Sequence, residues 1–340
     1  MSAAGPKLPI VDSPKYNISV FGLEKLHSFD SKKYGRIFSH LTTVSKLFTH
    51  SQTHTPPTPT RNDLLKIHTP AYMDSLNDRM VLTRILEVPV VAMLPMFVSR
   101  SRILEPMLAG TGGTILAAEL AMKHGWAMNL GGGYHHASGN QGSGFCVYAD
   151  WALAITNVFE KFPAVKRVLY VDLDAHQGNG VARSFMEDDR VHILDAYNPH
   201  IFPADTYAKT AITYAMSLST ATLKTPTPYL SLLRTTLSHA IESSKPDLIC
   251  YNAGTDCLEG DRLGAMMLTD EAVVERDEIV WRMALEKGVP VVMALSGGYQ
   301  MNNAGVIARS IENLVQKLGL FDRMRHDSGI GESADSGFNG

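Results

Sequence analysis

The chain has 340 residues, of which 45% are hydrophobic and 19% charged, with a formal net charge of −3. That length admits two ordinary domains or one large α/β domain, and the apolar share is enough for a sizeable core. The small negative balance excludes recognition of nucleic acid by bulk electrostatics, so no direct nucleic-acid partner is expected.

The three cysteines, Cys146, Cys250 and Cys257, have no paired spacing. They argue against a disulfide framework and for a reducing compartment. The N-terminus lacks a basic and apolar leader, and the longest apolar run, 88–98, is too short to span a bilayer and contains Pro89 and Pro95. The expectation is a soluble protein of the nucleus or cytoplasm.

In chain order, residues 1–15 read as an irregular arm and 17–21 as a strand. The Pro/Thr-rich stretch 50–61 reads as a loop, because consecutive prolines resist both helix and interior strand. Asn62 or Asp63 is a candidate cap for the short apolar segment that follows, and Pro70 opens a helix over 71–76. A helix over 104–124 ends at Gly125. From there strands at 126–130, 166–171, 191–194, 247–252 and 290–295 alternate with helices at 148–162, 229–243, 270–287 and 303–318, with one short helix before the third strand. Repeated βα units of this kind predict a parallel sheet flanked by helices in one α/β domain, here 16–322. The polar, Gly/Ser-rich end, 323–340, predicts a disordered tail.

Four of the strands run out into chemistry: 130 before GGGYHH, 171 before DLDAH, 252 before AGTD and 295 before SGGY. In open parallel sheets the functional crevice lies at the carboxyl ends of the strands. Asp172, Asp174 and His176 stand at alternate positions, which share one side in an extended chain. A single Asp at a strand end is ordinarily a solvated cap. Two acids and an imidazole together call for a cation. Asp256 completes a set of two carboxylates and one imidazole with Asp174 and His176, suited to a borderline divalent ion with a position left for water or substrate. Asp261 reads as a turn residue.

Two anionic donors formally cancel a dication, so its water needs an external base. His135 and His136, adjacent on a glycine-rich loop, are the candidates. Asp172 and Asn179 are candidate acceptors that would orient those rings. Tyr299, on a Gly-Gly turn, is placed to donate to an oxyanion.

HHA with the later GFC, DLDAHQGNG, NAGTDCLEGD and SGGYQ together resemble the zinc-dependent histone deacetylase family, of the arginase/deacetylase fold. The flanks YNISVFGLEKLHSFD, TGGTILAAELAMKHGWAMNLGGGYHH and YNPHIFPAD resemble its class IV branch, and the likeness runs in order over about 14–320. The resemblance implies zinc held by Asp174, His176 and Asp256, with His135, His136 and Tyr299 catalytic. It implies Gly144, Phe145 and Phe202 as walls of an acyl-lysine tunnel, and a structural potassium ion near Asp172, Asp174 and His176. It further implies hydrolysis of acylated lysine on histone or non-histone proteins, with long fatty acyl groups preferred over acetyl. Asn179 departs from the class I pattern, which has Asp there; an amide orients the imidazole without stabilising imidazolium.

A binuclear ureohydrolase of the same fold would need further acids, where this chain has Gly178 and an isolated Asp256. An acetylpolyamine amidohydrolase keeps the same mononuclear set, and the class IV-like flanks argue against it. A non-catalytic acyl-lysine binding module would predict a damaged site, whereas every expected group is present.

Overall fold

The structure, a computed structural model, describes residues 6–327 apart from 23 and 25–28. Among these residues seven parallel strands form one sheet. They are β1 (Ile10–Val11), β2 (Trp126–Asn129), β3 (Val168–Asp172), β4 (Val191–Asp195), β5 (Tyr214–Ala215), β6 (Leu248–Asn252) and β7 (Val291–Ala294), in the spatial order β1-β2-β7-β6-β3-β4-β5. Helices cover both faces, as expected for an all-parallel sheet.

The central strands are continuous apolar runs because both their faces are buried. Along β3, Leu169 and Val171 join one core with Trp126, Tyr251 and Trp281. Val168 and Tyr170 join the core on the other face with Trp151, Ile155 and Cys250. This is the period-2 alternation of a strand dividing its side chains between two layers. The helices between strands have local start and stop signals. Thr269 caps Asp270–Glu286 through its side chain, and Glu105–His124 ends on left-handed Gly125.

Several local expectations differ from the fold. The stretch read as an arm contains β1, which pairs with β2 and forms a sheet edge. Residues 17–21 form no strand; the Ile18 N–H donates to Ser31 O, so this segment pairs locally and not with the sheet. Thr60, not Asn62 or Asp63, caps helix Arg61–Leu64, and Asp63 reaches back to the Thr60 N–H as the third residue of a capping box. The last helix runs Leu320–Asp327 into the predicted tail, and 328–340 lie outside the described residues. All three cysteines are free and buried. No helix among the described residues is long and apolar enough to cross a membrane.

The register positions the site. Val11, Asn129, Ala294, Asn252, Asp172, Asp195 and Ala215 form one cross-strand row. Every loop after that row therefore leaves the sheet at the same height. From β3 the chain goes outward to β4 and β5, then returns to β6 and β7 on the other side of β3. That reversal makes the β3/β6 boundary a topological switch point, where ligands of open α/β sheets bind.

Candidate active site

Asp174 and His176 follow β3, and Asp256 follows β6. One donor atom from each lies within 4.8 Å of the others, and all three residues are buried. Among the described residues no second group of this kind occurs. His176 Nδ1 is 2.7 Å from Asp256 Oδ2 and 3.2 Å from Asp174 Oδ1. Burial, then the neighbouring Asp174 charge, pushes the Asp256 carboxyl up to about 7. Burial opposes a charge on His176, yet the two carboxylates outweigh it and hold the imidazole up to about 11. The niche is thus buried and strongly attractive to positive charge. Two oxygens and one nitrogen at this spacing fit a zinc ion, with a position remaining for water or an acyl oxygen.

The donors are themselves held. Asp174 Oδ2 accepts from Ser296 Oγ at 3.1 Å and the Gly297 N–H at 3.0 Å, and Asp256 Oδ1 accepts from the Ala175 N–H at 2.8 Å. A Cβ at Gly254 or Gly297 would lie 2.1 or 2.4 Å from Asp174 Oδ2, so the carboxylate requires both positions to be bare. Asn252 ties the strand ends together. Its Nδ2 donates to Asp172 Oδ1 and Ser296 Oγ, while its Oδ1 accepts from Trp151 Nε1.

His135 and His136 lie on the loop after β2, with ring centroids 4.0 Å apart. Asp150 anchors this loop by accepting the Gly133 and Tyr134 N–H groups at 2.7 and 2.8 Å. His135 Nδ1 pairs with Asp172 Oδ2 at 2.9 Å, and His136 Nδ1 with Asn179 Oδ1 at 2.8 Å. Asn179 Nδ2 donates to Asp205 Oδ2, which leaves Oδ1 facing the ring. His136 therefore donates from Nδ1 and keeps Nε2 as an acceptor. Burial and the charges of His135 and His176 hold His136 well below the usual imidazole range. Burial also acts on His135, but Asp172 and Asp174 overcome it and raise that ring to about 9. The adjacent imidazoles are thus driven apart, His136 toward the neutral form and His135 toward the protonated one.

Tyr299 follows the turn after β7. Its ring centroid is 6.0 Å from those of His176 and Phe145. Its N–H donates to Asp261 Oδ2 at 2.9 Å, so Asp261 is a buried turn anchor. Lys33 lies beneath the same turn, fully buried, with Nζ donating to Ser296 O at 2.6 Å and Gly297 O at 2.8 Å.

Toward solvent, Phe145, Phe202, Leu263 and the segment 87–90 line a cleft of about 490 Å³. The Phe202 ring is 5.0 Å from that of His136, and Gly144 lies between His136 and Phe202. A second cavity of about 110 Å³ shares His136, Phe145 and Tyr299 with the cleft and continues inward past Leu86, Leu94 and Met107.

The structure brings together all the expected site residues: Asp172 at the end of β3, Asp174, His176 and Asn179 after it, Asp256 after β6, His135 and His136 after β2, Tyr299 after β7, and Gly144, Phe145 and Phe202 at the mouth. Sequence reasoning passed over Lys33, Asp150, Asp195, Asp205 and Asn252. Each is an ordinary polar residue in its local sequence, and only its burial against the site gives it meaning. Asn252 alone gave a signal, as a polar end to an apolar strand beside the AGTD motif.

Comparison with known proteins agrees with this geometry. The histone deacetylase domain family model matches residues 27–318. Histone deacetylase 2 of Arabidopsis thaliana is 44% identical over 309 residues, covering 91% of this chain and 79% of that protein. Histone deacetylase 1 of Homo sapiens is 31% identical over 201 residues, covering 57% of this chain and 40% of that protein. The crystal structure of the HDA15 HD domain superposes with a TM-score of 0.73 at 17% identity, covering 91% of this chain and 88% of that one, and so shares the fold. An all-parallel sheet whose four motif-bearing loops converge at one switch point, together with a family match across most of its length, makes this chain a member of the histone deacetylase family.

Proposed function

We propose that this chain is a zinc-dependent amidohydrolase acting on Nε-acyl-lysine, of the class IV branch, preferring long fatty acyl groups to acetyl. One observation carries the reaction class: the Asp174/His176/Asp256 donor group lies beside two imidazoles whose Nδ1 atoms are held by Asp172 and Asn179. Zinc held by these donors would polarise the acyl carbonyl and acidify a water. His136 Nε2 takes the water proton, since its Nδ1 is committed to Asn179. His135, kept protonated by Asp172, is the proton source for the departing lysine nitrogen. Tyr299 donates to the oxyanion as the carbonyl becomes tetrahedral. Residues 16–322 form the catalytic domain in this reading, and the substrate is a protein of the nucleus or cytoplasm.

The inward cavity supports the acyl preference. Its wall is mostly apolar, built from aliphatic side chains such as Leu86, Leu94 and Ile103 together with aromatic rings, and each buried methylene contributes about 0.8 kcal/mol. An apolar cavity of roughly 150 Å³ admits a benzene ring, so 110 Å³ receives roughly four carbons as it stands. A longer chain advances by turning Met107 and Leu94, the first of which is unbranched and adaptable. A structural potassium ion near Asp172, Asp174 and His176 belongs to the same proposal. Its support is Asp195, which pairs with Asp172 across β3 and β4 and whose Oδ1 has no hydrogen-bond partner among the described residues.

The test compares kcat/KM on acetyl-, octanoyl- and myristoyl-lysine peptides, with and without a chelator. Efficiency should rise with chain length and vanish on chelation. Asp174→Ala should lose metal and activity together, and Tyr299→Phe should lose turnover while retaining zinc. Equal efficiency on all three peptides defeats the long-chain reading. Binding without turnover would mark a recognition module, and turnover confined to acylated polyamines a different amidohydrolase.

A further inference from the structure

A guanidinium sealed from water is costly unless several acceptors surround it. Arg276, in the middle of helix Asp270–Glu286, is fully buried and takes no part in the chemistry above. Its acceptors are notable for where they lie. Nη1 donates to Leu173 O at 3.1 Å and Gly254 O at 2.6 Å, and Nη2 reaches Ala253 O at 3.5 Å. Leu173 immediately precedes Asp174, and Ala253 and Gly254 are three and two residues before Asp256. Carbonyls from both donor-bearing loops therefore converge on one side chain.

The other edge of the guanidinium is anchored. Nε and Nη2 donate to Asp277 Oδ1 at 2.9 and 2.8 Å, and Asp277 in turn accepts from the Tyr251 hydroxyl on β6 and the Ser310 hydroxyl on helix Asn303–Leu318. The fork is thus fixed to a strand and two helices before it touches either loop.

We infer that Arg276 is a positioning residue of the metal centre, setting the separation of the Asp174 and Asp256 carboxylates by clamping the backbone of their two loops. The inference rests on reading Asp174, His176 and Asp256 as the metal donors. A planar fork with donors at fixed angles holds two carbonyls at one separation, which a single ammonium on a flexible stem does not. The separation matters because the two loops come from strands that are neighbours in space but about 80 residues apart in sequence, and Gly254 leaves no slack against Asp174. The buried positive charge also offsets the mutual repulsion of the two carboxylates before a cation arrives.

The experiment uses the full chain stripped of metal, as wild type, Arg276→Lys, Asp277→Asn and Asp256→Asn. Cobalt(II) titration reads ligand geometry through its visible absorption, zinc affinity comes from competition with a chromogenic chelator, and circular dichroism monitors the fold. Arg276→Lys should keep the fold, shift or weaken the cobalt band and bind zinc about ten- to hundredfold more weakly. Asp277→Asn, which loosens the anchor but leaves the carbonyl bonds, should lose less. An unshifted band with wild-type zinc affinity in Arg276→Lys overturns the inference. So does an Arg276→Lys chain equally unfolded with and without metal, which would make the guanidinium a core strut only. If wild type takes up no cobalt, or Asp256→Asn binds it as well as wild type does, the metal-centre reading itself falls and takes this inference with it.

Discussion

Behind the two adjacent imidazoles stand different acceptors, a carboxylate for His135 and an amide for His136. Asp172 favours imidazolium at His135, whereas Asn179 offers His136 orientation without charge. The amide belongs to a short chain, because Asn179 Nδ2 donates to Asp205, and Arg183 grips Asp205 through Nε at 2.6 Å and Nη2 at 2.9 Å. Asn179→Asp places a negative charge against His136 and removes a donor from Asp205. Both changes raise the basicity of His136, so the base becomes protonated at higher pH. The acidic limb of the kcat/KM profile should move upward by about one pH unit. A profile superimposable on wild type would reject the assignment of His136 as the neutral base.

At the scale of elements, what matters is how helices and loops hold the site from below. Helix Lys33–Ser39 carries the ammonium that anchors the Ser296–Gly297 turn. Burial pulls Lys33 down to about 8, with Asp174, Asp256 and Asp261 pulling it partly back. Its folded value is below its unfolded one, so the unfolded chain binds more protons between about pH 8 and the ordinary lysine value of 10.5. Over that window this residue makes stability rise with pH. Lys33→Met removes the burial of a charge but leaves Ser296 O without its donor, at about 1–3 kcal/mol, while Gly297 O keeps the Thr255 N–H, so the opposed effects leave stability near wild type at neutral pH. The turn bearing Tyr299 keeps Asp261 but loses Lys33, and kcat should fall about tenfold while KM changes little, because only transition-state positioning is damaged. Steady-state kinetics beside calorimetry decides it: wild-type kcat in a folded variant would leave Lys33 a packing residue.

For the whole molecule, the site is a place where the fold stores electrostatic repulsion. Two carboxylates are held close together by the Gly297 N–H, the Ser296 hydroxyl and the Ala175 N–H. The unfolded chain has no such arrangement, so metal binding is coupled to global stability. At a thousandfold excess over Kd the gain is about 4 kcal/mol, and in a chain of this size that raises Tm by roughly 6 °C. Calorimetry with and without chelator should show the shift, and Asp256→Asn should abolish it. Identical transitions in chelator and in zinc would disconnect the donor group from metal.

Much of this was legible in the chain itself, for reasons tied to particular residues. Asp174 and His176 could be grouped from sequence because acids and an imidazole clustered at a strand end call for a cation, although the chain bends at 174–176 and Asp172 turns to His135 instead. Helix 303–318 was bounded correctly because Asn303–Leu318 combines an apolar stripe with Gly319 at its end. Strands β1 and β5 are only two residues long and too short for any periodic signal. The 17–21 segment has strand-like composition, but its hydrogen bonds go to Ser31. The sequence by itself determined the alternation of strand and helix and the chemical identity of the donors, because period and residue type are local properties. Only the tertiary structure decided that β6 lies beside β3, bringing Asp256 to Asp174 and giving Lys33, Asp195 and Arg276 their partners. Parallel neighbours are joined through long crossovers, and their order is set by how helices pack across the whole sheet.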